Sequence, residues 1–302
     1  MHPSQPIQPV AGDPRAWPAS RKPARPPFGV ALDPSDILRR TFALWREDAV
    51  HLGLVTALPY VTFALAVVAA VGAAVSVTDF GELGALQLAA VGVGGGLLLA
   101  GALFLVASYG GAFLVVEERL RGEPRSTGAV GALLSGLPFL RRLSVVYLLG
   151  VAGGTTLLAP ALASGGLAVA QNSVALGLLG LFLGVVGLVA AAYGVLRLLV
   201  VGPVIVAEDV GVSAAIARSL DLTRGRVGHV LLVCVVFVAV LFVVNSAMAI
   251  VSLVPLLGLL AQCVGTIAVG SLQTVFLFVL YAALVDREAG LPDAAETAHR
   301  RS

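Results

Sequence analysis

Six long apolar runs alternate with short polar segments along the chain, near residues 50–76, 85–116, 143–167, 174–202, 228–253 and 258–285. Each can cross roughly 30 Å of hydrocarbon, which takes about 20 helical residues. The second and sixth exceed that minimum, so tilt or projection into the interface is expected. Two shorter segments carry a different pattern. In 35–47, Leu38, Phe42 and Trp45 fall at i, i+4, i+7, while Arg39, Arg40, Arg46 and Glu47 occupy the rest. Asp33 can cap this helix, Pro34 suits its first position, and Asp36 favours the positive end of the dipole. In 214–223, Ile216 and Leu220 face one way, and Arg218, Asp221 and Arg224 form an ion-paired stripe at spacings of three. Ser213 is the expected N-cap. Both segments read as helices lying in the membrane interface. Pro203 is expected to break the helix before the second of them, because it lacks an N–H and clashes with the preceding turn. Glu208 and Asp209 then mark arrival at water.

The loops separate into two kinds. Those near 77–84, 168–173 and 254–257 contain no Lys or Arg, whereas the other connections and both tails hold eighteen of the nineteen basic residues. Positive charge stays on the cytoplasmic side, so both termini are expected there, in an inner membrane. The expected fold is all-α: a polytopic bundle of six transmembrane helices in three parallel repeats, each preceded by a cytoplasmic interfacial amphipathic segment. The units run 33–118, 126–209 and 212–288. At an offset of 178, Arg40 matches Arg218, Arg46 matches Arg224 and His51 matches His229. The even helices end alike, at Glu117-Glu118, Glu208-Asp209 and Asp286. The six-helix domain spans 33–288, between a Pro-rich tail at 1–32 and a short tail at 289–302. The first tail holds eight of the sixteen prolines and is basic, which suits a disordered cytoplasmic arm, a proline-motif ligand or an anionic-lipid contact. It shows no apolar core of a signal peptide.

Composition supports a membrane class: 58% of residues are hydrophobic, 12% are charged, and mean hydropathy is +0.98. Soluble domains carry about 25% charge. The candidate chemistry is sparse. Cys234 and Cys263 read as small apolar residues. No metal-ligand spacing and no phosphate loop is visible, so no cofactor is expected. Arg197 is the only charge well inside an apolar run. It reads as a structural ion pair or a snorkelling group, or else as an anion clamp. His51 and His229 read as interfacial residues. Gln87, Asn245, Gln262 and Gln273 read as interhelical hydrogen-bonding groups or, alternatively, as the lining of a polar pore. Gly92/Gly96, Gly94–Gly96 and Gly180/Gly184 suggest close helix packing. Acids at helix C-termini oppose the dipole. A cytoplasmic ring of acid–arginine contacts is therefore expected, pairing Glu208 with Arg218 and Glu117 with Arg40. Arg197 reaches Glu208 only if Pro203 unwinds the helix.

The run Pro203–Glu208 followed by Val212–Arg226, with Arg218-Ser219 and Thr223-Arg224-Gly225-Arg226, resembles the signature of the glycerophosphoryl diester phosphodiesterase membrane-domain family. The opening stretch Ile37–Arg46 is similar to that family's first helix. In place of the family's closing Tyr-x-acidic-Leu-Arg pattern, Tyr281 is followed by Ala283 and Val285. The resemblance implies a six-helix membrane domain over about 33–290. It carries no catalytic residue, since the phosphodiesterase barrel would need about 250 further residues. The expected function is a non-catalytic membrane scaffold, lipid-contacting or accessory module. The alternatives are a small-solute transporter or channel, and a membrane enzyme using Arg197. The bilayer is the expected partner, with another membrane protein or a second copy beside it, and no nucleic acid.

Overall fold

The computed structural model describes residues 28–75, 85–123, 128–251 and 254–289. The first 27 residues, the whole of the expected loop at 77–84, and the C-terminal tail from 290 lie outside them. The described chain is helical throughout, without a strand. In order come α1 (Pro34–Val75), α2 (Ala85–Leu120), α3 (Ala129–Gly136), α4 (Leu140–Gln171), α5 (Val174–Leu198), α6 (Val201–Glu208), α7 (Val212–Thr223), α8 (Val227–Val251) and α9 (Pro255–Glu288). Among the described residues five stretches are long and apolar enough to cross a membrane: Gly95–Leu120, Ala129–Gln171, Val174–Glu208, Val227–Val251 and Ala261–Glu288.

Local chemistry explains the boundaries. Asp33 caps α1 by accepting the Ser35 and Asp36 N–H groups at 3.1 and 3.3 Å. Asp48 is the non-helical residue inside α1 (φ −117°, ψ 18°), so the helix kinks where the amphipathic pattern gives way to the apolar one. Pro203 acts upstream of itself. Its ring displaces the carbonyl four residues earlier, and the helix is interrupted at residues 199–200, between α5 and α6. The turn between α4 and α5 is tighter than expected: Asn172 adopts a left-handed conformation (φ 48°) and Ser173 caps α5.

The amphipathic α7 differs from expectation in two respects. Gly211, with no side-chain bond, occupies the N-cap, so Ser213 lies in the first turn and is exposed. The buried face is Ala215, Ser219, Leu222 and Thr223, with Ile216 and Leu220 only half-buried. Small hydroxyl residues suit close contact here because their polar atoms are satisfied locally. Ser219 donates to the Arg197 carbonyl at 2.8 Å, and Thr223 donates to the Ser219 carbonyl at 2.8 Å.

The core sits at one end of the bundle, where α2, α6 and α9 finish and α1 and α7 begin. Its axis is the last half of α9, packed against α1, α2, α6, α7 and α8. Val275, Phe278, Val279, Leu280, Ala282, Ala283 and Leu284 are completely buried. In the most apolar window of the α9 stretch 72% of residues are buried, against none in that of the α3–α4 stretch. α4 and α5 therefore contact chiefly each other and turn Leu162, Val169, Leu181 and Phe182 outward.

Glycines set two close crossings. A Cβ on Gly136 would lie 2.2 Å from the Ala107 carbonyl oxygen, and one on Gly111 would lie 2.3 Å from that of Ala132. Between α4 and α5, Gly180, Gly184 and Gly187 meet the facing helix, as the small-residue spacing suggests. Gly92, Gly95 and Gly96 do not: a Cβ on any of them meets nothing within 4 Å, so this part of α2 makes no close glycine crossing.

Candidate functional site: a polar cluster around the end of α9

The charged residues gather at the core end of the bundle. Arg218, projecting from α7, forms a two-pronged pair with Glu288 at 2.8 and 2.5 Å, and its Nε reaches Glu208 at 3.2 Å. Tyr281 donates its hydroxyl proton to the same Glu208 oxygen at 3.1 Å. One guanidinium thus ties α7 to the ends of α6 and α9. The Glu288 hydrogen bonds hold the Arg218 pKa further above its ordinary value against partial burial, and Glu208 adds to them. The expected Glu208–Arg218 contact is present. Glu288 joins it from the turn of α9 just past Asp286, a position the sequence pattern had not marked.

The second expected contact is absent. Arg40 reaches back to Asp36 at 3.2 Å, and Glu117 binds Arg121 at 3.1 and 2.8 Å. Both acids find arginines four residues away in the chain, which costs less ordering than a partner across the bundle. Arg121 in turn lies over the Phe28 ring, 5.0 Å from its centroid. Asp36 also accepts from Arg39 at 2.5 Å and from the Ala31 N–H at 3.2 Å. Burial alone would raise the Asp36 pKa. The Arg39 and Ala31 hydrogen bonds and the charges of Arg40 and Arg39 outweigh it, and the net shift is downward.

Asp48 and Arg119 form a second cross-helix pair, Nη2 to Oδ1 at 3.0 Å with Nε on the other oxygen. His51, one turn further along, is buried, and its Nε2 has no partner among the described residues. Asp209, left-handed at φ 51°, pairs with Arg142 at 2.7 Å. Asp221 and Arg224 are exposed and make no ion pair among the described residues. The expected stripe on α7 does not form, because Arg218 turns toward α9.

Arg197 forms no ion pair with Glu208. Its Nη2 donates to the Leu220 carbonyl at 3.1 Å, and its guanidinium stands 6.0 Å from the Tyr193 ring centroid. It satisfies one of the free carbonyls at the C-terminal turn of α7, where positive charge also meets the negative dipole end. Its Nε is buried without a partner.

Asp286 is completely buried, and its two oxygens accept the backbone N–H groups of Phe28 and Val30, each at 2.7 Å. The segment before α1 is thereby fixed across the end of α9. Among the described residues no group of three His, Cys, Asp or Glu side chains is placed to hold a metal. No protein-family model, curated protein or solved structure matches the chain.

Proposed function

We propose that the chain is a non-catalytic integral membrane scaffold, a lipid-contacting or accessory module. It would cross the inner membrane six times with both termini cytoplasmic. The sixth crossing is the apolar part of α1 beyond Asp48. The three parallel repeats are then kinked α1 with α2, α3 with α4 and α5–α6, and α7 with α8 and α9. The resemblance to the glycerophosphoryl diester phosphodiesterase membrane-domain family belongs to the same proposal.

The observation that carries this reading is where the polar side chains of the apolar helices point. Asn245, Gln262 and Gln273 are exposed, and Asn245 bonds its own helix at Leu241, while the Gln87 side chain lies outside the described ones. The bundle axis is filled instead by the buried half of α9. A solute path needs polar groups lining a lumen, and none of these three belongs to the buried core. Arg197 turns its Nη2 to the Leu220 carbonyl of α7, which ties it to a neighbouring helix end. Reconstitution into dye-loaded liposomes, beside lipid and protein analysis after purification in mild detergent, tests the reading. Dye retention with co-purifying lipid or membrane protein is the expected outcome. Protein-dependent efflux overturns it in favour of a channel.

A further inference from the structure

We propose that the end of α9 carries a peptide-binding site. Its ligand is a segment bent at a glycine that stands between an aromatic residue and a small aliphatic one, and in this chain the site is filled by Phe28–Gly29–Val30.

Asp286 is the core of the site. A buried carboxylate without donors is costly, and none of its described partners is a side chain. Both oxygens are instead satisfied by two main-chain N–H groups at 2.7 Å, from a segment more than 250 residues away in the chain. Main-chain N–H bonds to an ionised oxygen are short and strong, and they hold a strand without regard to its side chains. Gly29, at φ +70°, bends the segment so that the N–H groups on either side meet one carboxylate. That backbone conformation strains any residue with a Cβ, so the middle position is specific for glycine.

The flanking positions are selected by packing. The Phe28 ring meets Phe278 edge-on at 6.3 Å and Tyr281 at 6.4 Å, and the Arg121 guanidinium covers it. Glu117 holds Arg121 in that place through two hydrogen bonds. This gives Glu117 a positioning role that its place at a helix end does not disclose. Val30 is 3% exposed and packs into the apolar core. The elements are those of a peptide receptor: backbone capture for affinity, and side-chain pockets for specificity. Because the ligand is covalently attached, its effective concentration is high, of order millimolar for a short flexible tether. A free peptide therefore competes poorly with it until the attached segment is weakened.

The test uses the full-length chain in lipid nanodiscs. Hydrogen exchange across residues 28–32 is compared in the wild type, Phe28→Ala and Asp286→Asn. A fluorescein-labelled synthetic peptide of residues 22–33 is then titrated onto each. The wild type should protect the segment and bind little peptide. Phe28→Ala should speed exchange about tenfold, the loss expected for an aromatic anchor worth about 1–2 kcal/mol, and should take up the peptide. The double variant Phe28→Ala/Asp286→Asn should bind none. Because Phe28→Ala leaves α9 unaltered, it reports on the site even if Asp286→Asn disturbs folding. Three results overturn the proposal: an unprotected segment in the wild type, no peptide uptake by Phe28→Ala, or equal uptake when Asp286 is also replaced.

Discussion

Arg119, in the last turn of α2, grips Asp48, the non-helical residue inside α1. The kink exposes backbone that a straight helix would satisfy internally. The carboxylate sits at that point, 2% exposed, and the guanidinium reaches it from the neighbouring helix. The pair therefore fixes the angle between the amphipathic and apolar halves of α1. Removing either partner takes away a close charge-assisted contact in a mostly buried place. Asp48→Asn or Arg119→Gln should each lower stability by about 3 kcal/mol, the low end for breaking a buried pair because Arg119 is partly exposed. A double-mutant cycle read by thermal unfolding in detergent should show strong coupling, and additive losses would refute the role.

The contacts of Arg218 are more exposed and should be worth less. Coupling between Glu208→Gln and Arg218→Gln should be about 0.5–1 kcal/mol, typical of accessible pairs. The same cycle on Glu117 and Arg40 should give none, since each is held by a partner on its own helix. Measurable coupling there would mean the ring closes differently in the bilayer.

The glycines divide sharply by position. Gly136→Ala places a methyl 2.2 Å from a backbone oxygen and forces α3 away from α2. A loss of about 1–3 kcal/mol is expected, the usual penalty for overpacking. Gly96→Ala meets open space and should be neutral or slightly stabilising, through the better helix propensity of alanine. Unfolding midpoints of the two variants, measured side by side, decide the matter.

Asp36 links stability to pH. Its folded pKa lies below its ordinary value because Arg39, Ala31 and Arg40 favour the charged form over burial. A depressed carboxylate stabilises the fold above its unfolded pKa, and that contribution is lost as pH falls through the folded value. The stability difference between wild type and Asp36→Asn should thus be constant near neutrality. It should shrink below about pH 4, the ordinary carboxylate value. A difference that grows on acidification would reverse the sign.

The proposed topology is tested at two described turns. A cysteine at Asn172, between α4 and α5, should react with an impermeant maleimide added from outside the cell. A cysteine at Arg121, just beyond α2, should react only after the membrane is opened. The opposite pattern would invert the charge argument.

Much of the architecture was legible because hydrophobicity and charge act on each residue according to depth alone. The long apolar runs had to become helices, since a helix satisfies its own backbone without water. Asp33 announced a cap and Pro203 announced the interruption that appears at the carbonyl it displaces, whereas the kink at Asp48 was not marked. The same depth argument placed Glu208 and Arg218 in one layer, and they do meet.

Depth does not specify rotation about the helix axis, and there the sequence fell silent. Arg40 and Glu117 were expected in the layer of Arg218 and Glu208, yet they do not meet: Arg40 pairs with Asp36 and Glu117 with Arg121, each four residues away in the chain. Gly96 and Gly136 look equally suited to a close crossing, and only Gly136 has a helix against it. Asp286 read as one more acid at a helix end. Its part in holding Phe28 and Val30 required the chain to return across more than 250 residues, a contact no local pattern encodes. The sequence by itself determined which stretches form long apolar helices and which carry the charge. The tertiary structure alone decided which of those at the same depth touch, because packing fixes the azimuth and spacing of each helix only when all its neighbours are in place.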